Sequence, residues 1–290
     1  MNDDLLKALT EPSDFEAFLH SGEREVEEPR ALARRDQNFL HEAADANFHK
    51  LRVAVMYAFA AGRQAVDRIE LQAAITAKDF HRTEQALAAA PMTVRLALES
   101  TLPKALLSAV EAGGEAGMEM LGKRLRVAES NLRTAAITTR ISFDKTNPNV
   151  TKWAKKHATE LAKNLSLTSR QEIAEALVEA FEGGNLDTLY DVALQQVGSP
   201  ARAEMIARTE SMRAANAGQR ESWDQAVEKG LLPADIKREW IATSDACPFC
   251  VALDGKTASL SGEYPNDGGE GPPLHPDCRC TEGISAEEVG

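Results

Sequence analysis

The sequence predicts a mainly helical protein with long N-terminal helices and a small α+β module at its C-terminal end. Three observations predict it. Hydrophobic residues make up 43% of the 290 residues and aromatic ones only 5%, with alanine prominent, a composition that packs helices closely rather than filling a β-rich core. Helical periodicity runs through most of the chain as far as Val227. All four cysteines then fall together, in Cys247-Pro-Phe-Cys250 and Cys278-Arg-Cys280, with His275 just ahead of the second pair.

Residues 1–20 read as a short amphipathic helix, with Leu5, Leu6, Leu9, Phe15, Phe18 and Leu19 apolar. A charged break follows and ends at Pro29. From Arg30 to Ala77 the helical pattern carries one glycine, Gly62, and no proline, a length that fits a lever-like helix or an extended hairpin. Pro91 and Pro103 mark helix starts, because proline is tolerated in a first turn. Gly113-Gly114 break the next helix, which resumes from Ala116 to Ile141. Asp144-Lys-Thr-Asn-Pro148 is a turn and a domain joint. It separates a helical N-terminal region, 1–148, from a C-terminal module, 149–284, with 285–290 as a tail.

Within the module, Val150–Leu165 and Ser169–Phe181 read as two helices, the second opened by a capping box of Thr168 and Gln171. Leu186–Val197 is a shorter one. Ser199-Pro200 opens the best-defined helix, with serine as N-cap and proline at the first position. Glu210 falls on its apolar stripe, so it needs a partner, Arg208 or Arg213, and reads as structural. From Lys237 the period changes to two, a strand with Trp240 on its packed face. Asp254-Gly255 signals a hairpin turn. Residues 262–273 form a loop, and Thr281-Glu-Gly-Ile closes the module.

The cysteine cluster carries the chemistry. A Cys-x-x-Cys pair sets two thiolates on one turn, close enough to share a tetrahedral metal. Cys247, Cys250, His275, Cys278 and Cys280 compete for the four positions of a structural zinc site. Cys247, Cys250 and two of the other three are expected to bind. Both cysteines of Cys-x-Cys reach one metal only if Arg279 sits in a turn. A filled shell leaves no place for a reactive water. The rival reading is a zinc hydrolase or a thiol-redox enzyme using Cys247 and Cys250. The redox form is disfavoured because Cys-Pro-Phe-Cys is expected to lead into a hairpin and not a helix.

Two other motifs fail. Gly255-Lys256-Thr257 lacks the glycine of a phosphate loop five residues earlier, and His41-Glu42 lacks the second histidine of a zinc-protease helix. The formal charge of −12 argues against a chain built wholly for nucleic acid. One stretch reverses it, with Lys123, Arg124, Arg126, Lys152, Lys155 and Lys156 among its bases. That stretch is either a solvated face or a contact for double-stranded DNA or an acidic partner. No run approaches the ~20 apolar residues that span a bilayer, and the acidic N-terminus lacks a signal-peptide pattern. Reduced thiols in a cytoplasm are therefore expected.

The order of these motifs resembles one family. Ile206-Ala-Arg-Thr-Glu210 with Asn216, then Trp240, Cys247-x-x-Cys250, Leu253-Asp-Gly255 and Pro273-Leu-His-Pro-Asp-Cys-Arg-Cys280 are similar to the Mu F-like head-morphogenesis, or minor head, proteins of tailed bacteriophages. The resemblance covers roughly residues 150–284 and extends more weakly to Glu111–Gly117 and Ser142–Pro148. It implies a non-enzymatic virion protein at the portal vertex, acting in head assembly and in packaging or delivering the genome. It also implies portal and major capsid or scaffolding proteins as partners. Arg208, Glu210, Asn216 and Trp240 enter as structural residues, and no catalytic residue is carried over.

Overall fold

The computed structural model describes residues 29–132, 142–183 and 188–285, with side chains described for 37–123, 142–183 and 188–285. The expected helix at 1–20 lies outside them. Seven helices precede the first strand among the described residues: α1 (Pro29–Gln64), α2 (Arg68–Thr76), α3 (Phe80–Leu87), α4 (Ala89–Leu132), α5 (Pro148–Gly183), α6 (Leu189–Val197) and α7 (Pro200–Glu228). Then come β1 (Lys237–Ile241), a short helix α8 (Pro248–Leu253), β2 (Thr257–Ser259) and β3 (Thr281–Ile284). The three strands form one antiparallel sheet in the order β2-β1-β3. No described helix is long and apolar enough to cross a membrane. The helical chain with a small C-terminal sheet is the fold class the composition and periodicity predict.

The chain divides into two compact units, each drawn from separated stretches. One takes residues up to 47, 108–151 and 209–290, and the other takes 48–107 and 152–208. In the second unit, Leu51, Val55 and Phe59 of α1 are buried, with Leu98 and Leu102 of α4. Arg202 of α7 pairs there with Glu172 of α5 and stands 5.8 Å from the centre of the Phe59 ring. Asp67 caps α2 by accepting from the Glu70 N–H at 2.9 Å, and Asp79 caps α3 likewise from Arg82 at 3.1 Å. Asp67 is why the pattern read as continuous from Arg30 to Ala77 divides in two. Ser199 Oγ accepts from the Arg202 N–H at 3.2 Å, the cap its sequence predicts for α7.

In the first unit, Leu40 and Ala44 of α1 bury against Met212 and Ala215 of α7. The crossing of α4 and α7 corrects one expectation. Gly113-Gly114 do not break α4, which runs through them and through Pro103. A Cβ on Gly113 would run into the Ala215 backbone, and one on Gly114 into the Phe143 ring. Gly218, on the opposing helix, sits against the Val110 carbonyl. These glycines let two backbones approach closely, which outweighs their low helix propensity. Pro103 is likewise accommodated inside the helix rather than starting one.

The expected division of α5 also fails, since Pro148–Gly183 is one helix. Thr168 does not cap. Its Oγ1 donates back to the Asn164 carbonyl at 2.9 Å, a bond available only inside a helix.

The Gly218→Ala variant is expected to be less stable than the parent by about 1–3 kcal/mol, although alanine is the better helix former. Gly183→Ala, with nothing within 4 Å of the added methyl, should be neutral or stabilising. Chemical denaturation of both variants gives the comparison. Equal stability of the two would remove the close-packing account.

Candidate metal centre

The sheet positions the cluster. Trp240 on β1 is fully buried and meets the Tyr264 ring edge-on at 5.3 Å. These two rings, with Leu253 and Ala258, form one apolar cluster with Cys250, Cys278 and Cys280. The Gly255 N–H donates to the Trp240 carbonyl at 2.9 Å, and Asp254 accepts from the Ala242 N–H at 2.9 Å. Gly255 takes a positive φ of 75°, so the Asp-Gly turn is made as its sequence signals.

Cys-Pro-Phe-Cys leads into a helix and not directly into a hairpin. Cys247 is the N-cap residue of α8, with Pro248 at its start, and β2 follows the Asp254-Gly255 turn. Proline's fixed φ suits that first position, and the short helical turn brings Cys250 back beneath Cys247. A helix thus follows the pair after all, and its expected absence no longer counts against redox chemistry.

Five donor groups meet in two triads that share one residue. Cys247, Cys250 and His275 form the first, Cys250, Cys278 and Cys280 the second, each with donor atoms within 4.8 Å of one another. His275 Nε2 lies 3.2 Å from Cys247 Sγ and 3.4 Å from Cys250 Sγ, and Cys250 Sγ lies 3.7 Å from Cys278 Sγ. A tetrahedral zinc with ordinary bond lengths spaces its sulfurs about 3.8 Å apart, and a nitrogen and sulfur about 3.6 Å apart. The donor set and these spacings fit zinc. His275 Nδ1 donates to its neighbour's carbonyl, Pro276 O, at 2.7 Å. That bond leaves the neutral ring's Nε2 lone pair facing the thiols, the orienting contact that metal-binding histidines usually have.

The electrostatics of the thiols are uneven. The Cys250 backbone N–H holds the Cys247 thiol below its ordinary value. Burial, followed by the neighbouring Cys278, pushes Cys250 up to about 12. A hydrogen bond from Cys280 brings Cys278 down to about 5, and the same bond raises Cys280. Cys280 thus holds its proton more firmly than Cys278 does. A bound cation would displace such protons, because a metal takes the thiolate.

The Ser199 helix, α7, holds the loop that carries the second pair. Thr209 Oγ1 accepts from the Asp277 N–H at 3.0 Å, and Asn216 Nδ2 donates to the Cys280 carbonyl at 3.4 Å. From α1, His41 Nε2 donates to the Arg279 carbonyl at 2.8 Å. His41 belonged to a discarded motif, and no local pattern joined it to residue 279. The Cys278 N–H bonds the His275 carbonyl at 3.2 Å, a turn just before Arg279, whose side chain pairs with Asp245.

The other expected residues are placed as follows. Glu210 is buried and pairs with Arg213 at 3.5 Å, while Arg208 pairs with Glu204 at 3.4 Å. Lys123 pairs with Glu119 at 2.7 Å and stands 4.0 Å over the Phe39 ring. Lys152, Lys155 and Lys156 are exposed on α5 and belong to a different compact unit from Lys123. The side chains of Arg124 and Arg126 lie outside the described ones.

One buried group escaped the sequence reading. Arg238 of β1 and Glu282 of β3 are each 1% exposed and pair with each other, and Arg220 of α7 reaches Glu282 at 3.1 Å. Arg238 also donates to the carbonyls of Ser259, Gly262 and Glu270, which fixes the 262–271 loop over the sheet. A period of two puts Arg238 on the same strand face as Trp240, and that was the available signal.

A family model of phage Mu protein F-like proteins matches residues 171–282. No curated protein and no solved structure matches the chain. The matched stretch contains α7, β1, α8, β2, all five Cys/His donors and the Arg238–Glu282 pair. Over residues 171–282 the chain is similar to the phage Mu protein F-like proteins.

Proposed function

We propose that this chain is a minor head protein of a tailed phage, acting in head morphogenesis without catalysing a reaction. The family match carries the reading, because it falls on the part of the chain that the metal centre and α7 organise. In this reading the protein joins the virion at the portal vertex and takes part in packaging or ejecting the genome. Its partners there are the portal protein and the major capsid or scaffolding protein. Zinc, held by four of Cys247, Cys250, His275, Cys278 and Cys280, is a structural clip that fixes the 275–280 loop against α7.

The basic half of α5 supports a non-specific DNA contact less well than the sequence alone did. Glu175, Glu179 and Glu182 continue the exposed positions of the same helix. The proposal is tested in purified heads. Mass spectrometry should find the chain at a few copies per particle, and portal protein should co-purify with it. Heads that lack the chain yet package and deliver DNA normally would end the reading.

One observation favours a second reading, a thiol-redox enzyme: Cys247 sits at the start of a helix in a Cys-x-x-Cys pair. Thiol alkylation separates the two. A structural centre should leave all four thiols slow to react until a chelator is added. Fast labelling of Cys247 alone, with metal bound, would favour the enzyme.

A further inference from the structure

The donors of the cluster are arranged in threes rather than in a four. Among the described residues, Cys247, Cys250 and His275 form one compact group and Cys250, Cys278 and Cys280 the other, and no four of the five lie within the same 4.8 Å of one another. Zinc takes four ligands in a structural site. Any four of these donors draw on both groups, so zinc has to pull the two groups together. A cation satisfied by three ligands needs no such movement, and each group already offers it a complete set.

The chemistry of the donors narrows the choice of cation. Four of the five are thiols, which select soft metals, and none is a carboxylate, which magnesium and calcium require. In the second group Cys250, Cys278 and Cys280 are each 2% exposed or less. They pack with Trp240, Leu253 and Ala258, so solvent does not reach them to supply the water that commonly completes a three-ligand zinc. Copper(I) is soft, binds thiolate and imidazole, and is commonly three-coordinate with them. Both groups therefore suit it as they stand.

We propose that the cluster has a second metal mode, in which it binds two copper(I) ions, one in each group of three, with the Cys250 thiolate shared between them. This rests on the reading of the cluster as a metal centre and concerns the same five side chains. Cys250 stands where a shared ligand has to stand. Its Sγ lies 3.4 Å from His275 Nε2 in one group and 3.7 Å from Cys278 Sγ in the other. The exchange also balances. Two singly charged copper ions replace one doubly charged zinc, and no electron is transferred. Where the donor left unused by zinc is a thiol, it releases its proton as copper enters.

The test titrates the full chain with copper(I), kept reduced under nitrogen and buffered by bathocuproine disulfonate, whose colour reports the copper not taken by the protein. After desalting, metal analysis should find about two copper ions per chain, with the zinc released. Cys280→Ser interrupts only the second group and Cys247→Ser only the first, so each should hold half as much copper as the parent. Circular dichroism follows the fold throughout, and the parent's stoichiometry decides by itself if a variant fails to fold. A parent that saturates at a single copper overturns the proposal. So does a folded variant that binds as much as the parent, or copper uptake that only accompanies unfolding. The zinc content of the chain as isolated separates this proposal from the zinc reading. A chain isolated with zinc that then takes a single copper keeps the zinc clip and loses the second mode. A chain isolated without zinc that binds two copper ions does the reverse.

Discussion

The Cys250→Ser variant is expected to lose its metal and, with it, the ordered packing around the sheet. Cys250 is the residue common to both triads, so its loss leaves neither intact. A structural zinc contributes on the order of 10 kcal/mol to the fold that holds it, comparable with the whole stability of an ordinary domain. The apolar cluster beneath it consists of a few side chains, three of them cysteines of the triads, and cannot make up that amount. Metal analysis should fall from one zinc per chain to near none. Trp240, fully buried beside the cluster, should shift its emission to the red. A chelator should do the same to the parent, reversibly on adding zinc. A Cys250→Ser chain that keeps one zinc and an unchanged melting temperature would show that the clip is not structural. Acid should release the metal too, since zinc and protons compete for the same thiolates, and affinity should fall steadily as pH drops.

The second large effect is expected from Glu282→Ala. Arg238 would then be buried beside Arg220 with no carboxylate between them. Breaking a buried pair by removing one partner costs about 3–5 kcal/mol, because the remaining charge is left uncompensated. The three carbonyls held by Arg238 tie the 262–271 loop to the sheet, so limited proteolysis should cut this loop first. The double variant Arg238→Met/Glu282→Leu removes both charges and should be distinctly more stable than Glu282→Ala. Urea denaturation of the three proteins measures the difference. If the double variant were the least stable of them, the three carbonyl bonds of Arg238 would matter more to the fold than the unpaired charge.

The parts of the fold legible in the sequence are those governed by short-range chemistry. Cys247 and Cys250 announce neighbouring thiols because three residues make about one turn. Ser199-Pro200 announces a helix start because its cap is a local bond. Trp240 shows its burial by alternation alone. The readings that failed depend on what lies across the fold. Gly113-Gly114 look like a break until Ala215 and Gly218 press against them, and Thr168 looks like a cap until the helix before it supplies a carbonyl. Arg238 and Glu282 are 44 residues apart, and a charge on a strand says nothing by itself about the partner waiting on another. The same holds for His41, which reaches a carbonyl 238 residues away. In α5 the run of bases was legible, but the acids from Glu172 to Glu182 joined it on one helix only once two expected helices proved to be one.

The bond from His41 to Arg279 sets a timetable for synthesis. The first unit takes its parts from near the start, the middle and the end of the sequence. On a ribosome, Leu40, Ala44 and the glycine face of α4 therefore emerge long before the residues that cover them. Contacts of such long sequence separation form slowly, since each must first close a large loop. Until Cys280 has left the exit tunnel the unit stays open, with its apolar helix faces available to chaperones or to the wrong partner. A metal held by the cluster would then be captured only at the last moment of folding.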